Sequence, residues 1–286
     1  MAKEVIIAIP VYRFPLTDDE KTSLRYLLHF LGHYDLTLIV PRSLDISEPL
    51  LRSLPVARFD NKYFAGIEGY NQLMLSRKFY DAFKAYEYIL IYQLDCLVFS
   101  KDLTAWCRKG WDYVGAPWFK GHRGDTTYGF WEVGNGGLSL RRVSAFRKVL
   151  RSRRLLKPPI ELGRTTRLFP TLPALKFIVT ILKTVLHACG FRNTMPYFVR
   201  HFTEYEDVFW SLHARRACPS FKIPSPEEAL PFAFEYAPRY CFEKNGGRLP
   251  FGCHAWNKTD PAFWQEVLVG QPELSILASR EKCSSI

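Results

Sequence analysis

Three side chains in this 286-residue sequence stand where chemistry is readily done: Asp95, Asp207 and His254. Asp95 closes the apolar run Tyr88-Ile-Leu-Ile-Tyr-Gln-Leu-Asp95, at the point where a buried strand reaches the surface. A carboxylate there can hold a divalent cation and, through it, phosphate oxygens; it can equally cap the next turn or pair with an arginine. Asp207 follows Thr203-Glu-Tyr-Glu206, and Tyr205, Val208, Phe209 and Leu212 repeat at i, i+3, i+4 and i+7, which predicts an amphipathic helix. Thr203 and Glu206 stand in capping-box relation. Asp207 projects about 200° from Tyr205 and so faces outward near the helix N-terminus. There it can take a proton from a bound hydroxyl, or serve the helix dipole by its charge alone. His254, in Pro250-Phe-Gly-Cys-His-Ala-Trp256, can complete a metal shell beside the permissive Gly252. A buried, hydrogen-bonded histidine is the commoner outcome. Cys253 has no base near it in sequence and reads as packing.

The elements that must position these groups alternate. Val5–Val11 is a continuous apolar run that fits a strand buried on both faces. Asp18–Leu31 reads as a helix with Thr17 as N-cap and acids in its first turn. Leu36–Val40, Val56–Phe59 and Tyr88–Leu94 read as further strands, with a long helix over 68–86 before the last. This alternation predicts an α/β fold with a mainly parallel, Rossmann-like central sheet flanked by helices. Ligands of such sheets bind at the carboxyl ends of the strands. That singles out Pro10, Tyr12 and Arg13 after the first strand, and Gln93 and Asp95 after the fourth. Beyond Gly110 the chain is rich in Gly and Trp with little helical period. The composition suits a loop-built binding surface, or tight turns stapled by core tryptophans.

Apolar residues make up 48% and charged residues 23%, which excludes wholesale disorder. Seven dispersed cysteines with no C-x-x-C pair read as reduced thiols rather than a disulfide frame or zinc site. No apolar run is long enough for a spanning helix, and the N-terminus shows no signal-peptide pattern, so the expected location is cytoplasmic. The formal charge of +11 favours anionic partners. Much of it sits in residues 150–198, where an arginine cluster precedes the segment Leu168–Gly190. On a helix, Lys176, Thr180, Lys183 and His187 would form a narrow basic stripe on an apolar body. That pattern fits a helix packed on the protein's own core or one lying in a membrane interface, and the arginines favour an anionic membrane surface for residues 150–190. Nucleic acid is not expected, since the basic run lacks interleaved aromatics and any nucleic-acid-binding motif.

Glu87–Asp95, Trp111-Asp-Tyr-Val-Gly-Ala-Pro-Trp118, Gly134-Asn-Gly-Gly-Leu-Ser-Leu-Arg141, Glu206-Asp-Val-Phe-Trp210 and Pro250–Trp256 occur in that order. The series resembles a group of glycosyltransferase-like proteins of bacteria and large viruses and, more distantly, inverting GT-A glycosyltransferases such as the Fringe-like enzymes. The resemblance runs from Val5 to about Trp264, with 150–200 divergent, and implies one GT-A-like domain over 1–286 with a basic amphipathic insertion at about 150–198. It implies that Asp95 and His254 hold a divalent metal, Mn²⁺ or Mg²⁺, and that Asp207 is the general base. It also implies that Gly136 and Gly137 shape the donor–acceptor pocket. Beside it, Pro10, Tyr12, Arg13 and Gln93 at the strand ends are the expected donor contacts, with Arg13 either on the nucleotide or diphosphate or solvated, and Trp118, Asn135, Glu206 and Trp256 are the expected acceptor-pocket residues. One departure bears on the metal: the family's Asp-x-Asp reads Gln93-Leu94-Asp95 here.

The expected activity is therefore transfer of a sugar from a nucleotide-sugar, a UDP-sugar first, to a hydroxyl of a glycan or lipid-linked acceptor. Two rivals stand beside it. A nucleotidyltransferase would carry a glycine-rich loop after the first strand, where this chain has Ile9-Pro-Val-Tyr-Arg-Phe-Pro15. A non-catalytic glycan- or membrane-binding module would have no need of a second aspartate.

Overall fold

The computed structural model describes residues 3–121, 124–156 and 173–269. Its first half alternates as expected: β1 (Lys3–Pro10), α1 (Asp18–Leu31), β2 (Asp35–Pro41), β3 (Val56–Phe59), α2 (Ile67–Met74), α3 (Arg77–Ala82) and β4 (Tyr86–Tyr92). β5 (Cys96–Val98), α4 (Leu103–Arg108), β6 (Tyr113–Val114), β7 (Ala116–Phe119), β8 (Phe130–Gly134), β9 (Leu138–Arg142) and α5 (Val143–Leu150) follow. After α6 (Pro173–Ala188) come short helices and the strands β10 (Ala233–Phe234) and β11 (Gly252–His254).

The central sheet has the order β3-β2-β1-β4-β9-β6. β1 runs parallel to β2 and β4, and β2 parallel to β3, whereas β9 is antiparallel to β4 and β6. The fold is thus α/β with a mixed, mostly parallel sheet. Ile6 to Pro10 and Tyr88 to Tyr92 are buried throughout, which is why both runs lack polar alternation. The chain winds outward from β1 through β2 to β3, then returns to place β4 on the other side. β1 and β4 therefore flank a topological switch point, and their carboxyl ends open a crevice.

Local chemistry explains the boundaries. Thr17 Oγ1 accepts from the Glu20 amide at 3.2 Å and Glu20 Oε2 accepts from the Thr17 amide at 2.7 Å, a complete capping box that starts α1. The single helix expected over 68–86 is two helices. Ser76 breaks it by capping α3, its Oγ accepting from the Phe79 amide at 3.1 Å. The Gly/Trp-rich stretch supplies β6, β8 and the β7–β8 hairpin rather than loop alone. The capping box expected at Thr203–Glu206 does not form. Tyr205 is the N-cap of the helix Glu206–Val208, which continues through a π-helical turn, Phe209–His213.

A second sheet, β10-β11-β5, sets β11 antiparallel to β5 with His254 opposite Cys96. That register places His254 against the residue next to Asp95. The six cysteines among the described residues are free thiols, all but Cys189 buried. No helix among the described residues is long and apolar enough to cross a membrane.

Candidate functional site

The crevice at the ends of β1 and β4 is a cleft of about 1040 Å³. Pro10, Tyr12 and Arg13 come to it from the end of β1, and Gln93 and Asp95 from the end of β4. Trp118 and Trp131 enter from the β7–β8 hairpin, Gly136 and Gly137 from the turn before β9, and Glu206 and Asp207 from their helix start. His254 arrives on β11. Sequence reasoning missed two further members, Glu235 just after β10 and Lys258 after β11.

His254 lies between two carboxylates. Its Nδ1 is 3.0 Å from Glu235 Oε1 and its Nε2 is 3.3 Å from Asp95 Oδ1. Burial alone would push the imidazole pKa down, but Asp95 and Glu235 together raise it to about 10, so the ring is an imidazolium. Lys258 Nζ donates to the other oxygen of Asp95 at 2.7 Å. Burial works against ionisation of Asp95, yet His254 and Lys258 hold its carboxyl well below the usual carboxylate range. The result is a chain of alternating charge: Glu235, His254, Asp95, Lys258.

Asp207 has the opposite character. Burial, followed by the charges of Glu206 and Glu235, raises its pKa to about 7. The one bond its carboxylate accepts among those described is from the Val208 amide, at 2.9 Å. Glu206 beside it is committed elsewhere. Arg141 donates to both its oxygens, at 2.7 and 3.1 Å, and both side chains are buried. Arg141 also donates to Tyr80 Oη at 2.9 Å and to Ser139 Oγ at 3.0 Å. Glu206 is thus a structural anchor that aims its neighbour, and long-range charge pairing displaced the capping role expected for it.

Two expected pocket residues stand off the cleft wall. Asn135 is buried behind it, its Oδ1 accepting from the amides of Gly137 at 2.8 Å and Leu138 at 3.1 Å, so it shapes the glycine turn without touching the space. Trp256 is buried in the cluster around Leu97, Phe234 and Trp264. Arg13 reaches the cleft, but its guanidinium is tied to Glu20 Oε1 at 3.1 Å and to the Pro15 carbonyl at 2.9 Å. Tyr12 is 58% exposed and offers an open ring face.

A family model described as a protein of unknown function, DUF5672, matches residues 53–254, more than two thirds of the chain. The chain belongs to the DUF5672 family. The matched span takes in Asp95, Asp207, Glu235 and His254, while β1 and Lys258 lie outside it. No curated protein matches this DUF5672 chain in sequence. Among solved structures it is similar to the galactosyltransferase LgtC in complex with donor and acceptor sugar analogs, at 10% identity over 96% of this chain and 95% of that one, TM-score 0.46. It is also similar to a glycosyltransferase involved in glycosylation of the major capsid of PBCV-1, at 12% identity over 94% and 100%, TM-score 0.41. Mouse xyloside xylosyltransferase 1 is similar at 12% identity over 88% and 97%, TM-score 0.41.

The donor set of the DUF5672 chain fits a hard divalent cation in kind. Asp95 supplies a carboxylate oxygen and His254 its Nε2, while Glu235, on the opposite ring nitrogen Nδ1, orients the imidazole from behind. Cys96, whose sulfur lies near Asp95 and His254, does not belong to the set. Burial pushes its thiol pKa well up, and the thiol donates to the Gly137 carbonyl at 3.3 Å. A cation would have to displace the His254 proton and the Lys258 ammonium, so its affinity rises with pH.

Gly137 imposes a tight steric requirement in the DUF5672 site. A Cβ added there would lie 2.1 Å from His254 Nε2. Gly137→Ala is therefore expected to push the imidazole off Asp95 and Glu235. NMR titration of His254 in the variant should show its pKa falling from about 10 toward the free value; an unchanged pKa would contradict the packing described.

Proposed function

We propose that this chain is a GT-A-like glycosyltransferase, moving a sugar from a nucleotide-sugar, a UDP-sugar first, to a glycan or lipid-linked acceptor hydroxyl with inversion. The observation that carries this reading is Asp207. A carboxylate tuned to about 7, in the wall of a large cleft at the switch point of an α/β sheet, is poised to take a proton at neutral pH. Asp95 and His254 line the same cleft and supply the ligand chemistry for a cation, with Glu235 holding the other ring nitrogen of His254.

In this reading the acceptor oxygen attacks the anomeric carbon while its proton passes to the Asp207 carboxylate. The bond from that carbon to the diphosphate oxygen breaks, and the nucleoside diphosphate leaves with the electron pair. The transition state has oxocarbenium character, as in glycoside hydrolysis. Tyr12 presents its ring to the nucleobase, Pro10 and Gln93 border the nucleotide, and Trp118 and Trp131 give flat faces to sugars. A bound Mn²⁺ or Mg²⁺ would supply the charge that neutralises the departing diphosphate.

The cleft needs that charge. Asp19, Glu20, Asp95, Glu206, Asp207 and Glu235 line it against Arg13, His254 and Lys258. Arg13 is already paired with Glu20, and His254 and Lys258 are paired with Asp95. A diphosphate would meet net negative surface here, so the protein's overall positive charge does not serve this site.

Calorimetric titration with UDP and GDP, each with Mn²⁺ and with EDTA, tests the reading. UDP is expected to bind with Mn²⁺ present and to lose at least about tenfold in affinity with EDTA or in Asp95→Ala. Binding of neither nucleotide under any condition would favour a non-catalytic glycan-binding module instead.

A further inference from the structure

The helix α6 turns its apolar face away from the protein. Phe177, Ile178, Ile181, Leu182, Val185 and Leu186 are all exposed, Phe177 by 67% and Ile178 by 61%. Their spacing makes one continuous stripe. Val179 and the polar positions Thr180, Lys183, Thr184 and His187 are the half-buried ones. This reverses the usual order, in which an amphipathic helix hides its apolar stripe against the core. Phe191, just past the helix, is exposed as well.

The segment that carries this helix is also strongly basic. Residues 151–200 hold ten Lys and Arg against a single acid, so this stretch carries nine of the chain's eleven net positive charges. Arg153, Arg154, Arg192 and Arg200 are exposed among the described residues. The segment is nonetheless joined to the body. Leu156 donates its amide to the Asn193 carbonyl at 3.2 Å, and Met195 is buried in the main core. The rings of Phe198 and Phe202 pack on Phe209, two residues after Asp207.

We infer that α6 is a membrane-surface helix that docks this protein on an anionic lipid bilayer. Six apolar side chains on one face enter the acyl boundary, while the surrounding arginines meet lipid phosphates. Sixteen residues span about 24 Å at 1.5 Å per residue. That is short of a hydrocarbon core of about 30 Å, so the helix lies along the interface instead of crossing. The exposed apolar stripe of α6 and the cation excess of the segment that carries it together select anionic lipid over an acidic protein groove or a second copy of this chain. The nine-charge excess would set two copies against each other. The inference stands apart from the transfer reading, since it uses none of the cleft residues.

Co-sedimentation of the full chain with vesicles tests it. The protein should pellet with phosphatidylcholine vesicles containing phosphatidylglycerol and at least about tenfold less with phosphatidylcholine alone, the binding weakening as salt rises. Ile178→Glu with Leu182→Glu should abolish pelleting. Both side chains already face water, so thermal melting and nucleotide titration of that variant should match wild type. Absence of pelleting by folded wild type at low salt would overturn the inference, as would undiminished pelleting of the double variant. Light scattering that shows a dimer dissolved by the same substitutions, without vesicle binding, would assign the face to a second copy instead.

Discussion

Asp207→Asn is expected to slow transfer severely and to leave a protein more stable than wild type at pH 8. Both effects follow from a carboxyl whose pKa is raised to about 7 by burial and by the charges of Glu206 and Glu235. In the unfolded chain the same group titrates near 3.9. Between those values the folded state holds a proton that the unfolded state has released. The stabilising contribution is therefore complete below about pH 4 and is lost as pH rises through about 7. At pH 8 wild type keeps an uncompensated buried charge that asparagine lacks. With the side chain partly open to the cleft, the difference is on the order of 1–3 kcal/mol. Melting curves at pH 4 and pH 8 should show the variant's advantage only at the higher pH. Activity should respond in the opposite sense. A general base works when deprotonated, so wild-type kcat/KM should climb through pH 7, and its removal should lower the rate about a hundred- to ten-thousandfold. A flat profile from acid to alkaline pH, or an active Asp207→Asn, would take the base role from this residue.

Asp95, Asp207 and His254 could be picked out in the sequence because each carries a local sign: an acid ending a strand, an acid off a helix stripe, a histidine beside glycine. Glu235 carries the first of these signs too, following the run Pro231-Phe-Ala-Phe234. Its strand is only Ala233–Phe234, too short to be seen as one without its partner β11. Lys258 has no local sign, since only the β5–β11 pairing brings it to Asp95. The same difference separates the parts of the fold. β1, α1 and β3 follow from apolar runs and a capping residue, and the structure places β3 at the boundaries expected. The lost capping box at Thr203 and the burial of Glu206 depend on side chains distant in sequence, whereas the split of the helix over 68–86 is made locally by the Ser76 cap. Net charge likewise does not say where the charge sits. The sum over the chain pointed to anionic ligands, while the cleft is acidic and the excess lies in 151–200.

Arg141→Met should be the most damaging single change to stability. The guanidinium is wholly buried and makes bonds to Glu206, Tyr80 and Ser139. Removing it strands the Glu206 carboxylate in the core, which costs about 3–5 kcal/mol. That is a large share of the 5–15 kcal/mol, roughly, that holds a typical domain together. The pair itself is weak evidence of net stabilisation, because desolvating two ions offsets most of their attraction. Replacing both partners, as Arg141→Met with Glu206→Leu, should therefore recover most of the loss in urea unfolding. What the double variant should not recover is transfer. Glu206 opens the helix that carries Asp207, and its amide donates to Asn71 Oδ1 at 3.2 Å while its side chain is held by Arg141. With that anchor gone, nothing charged fixes the direction in which the next carboxylate points. A double variant that is both stable and fully active would show that packing alone aims Asp207. A stable, inactive one would show that the pair is kept for position at the expense of stability.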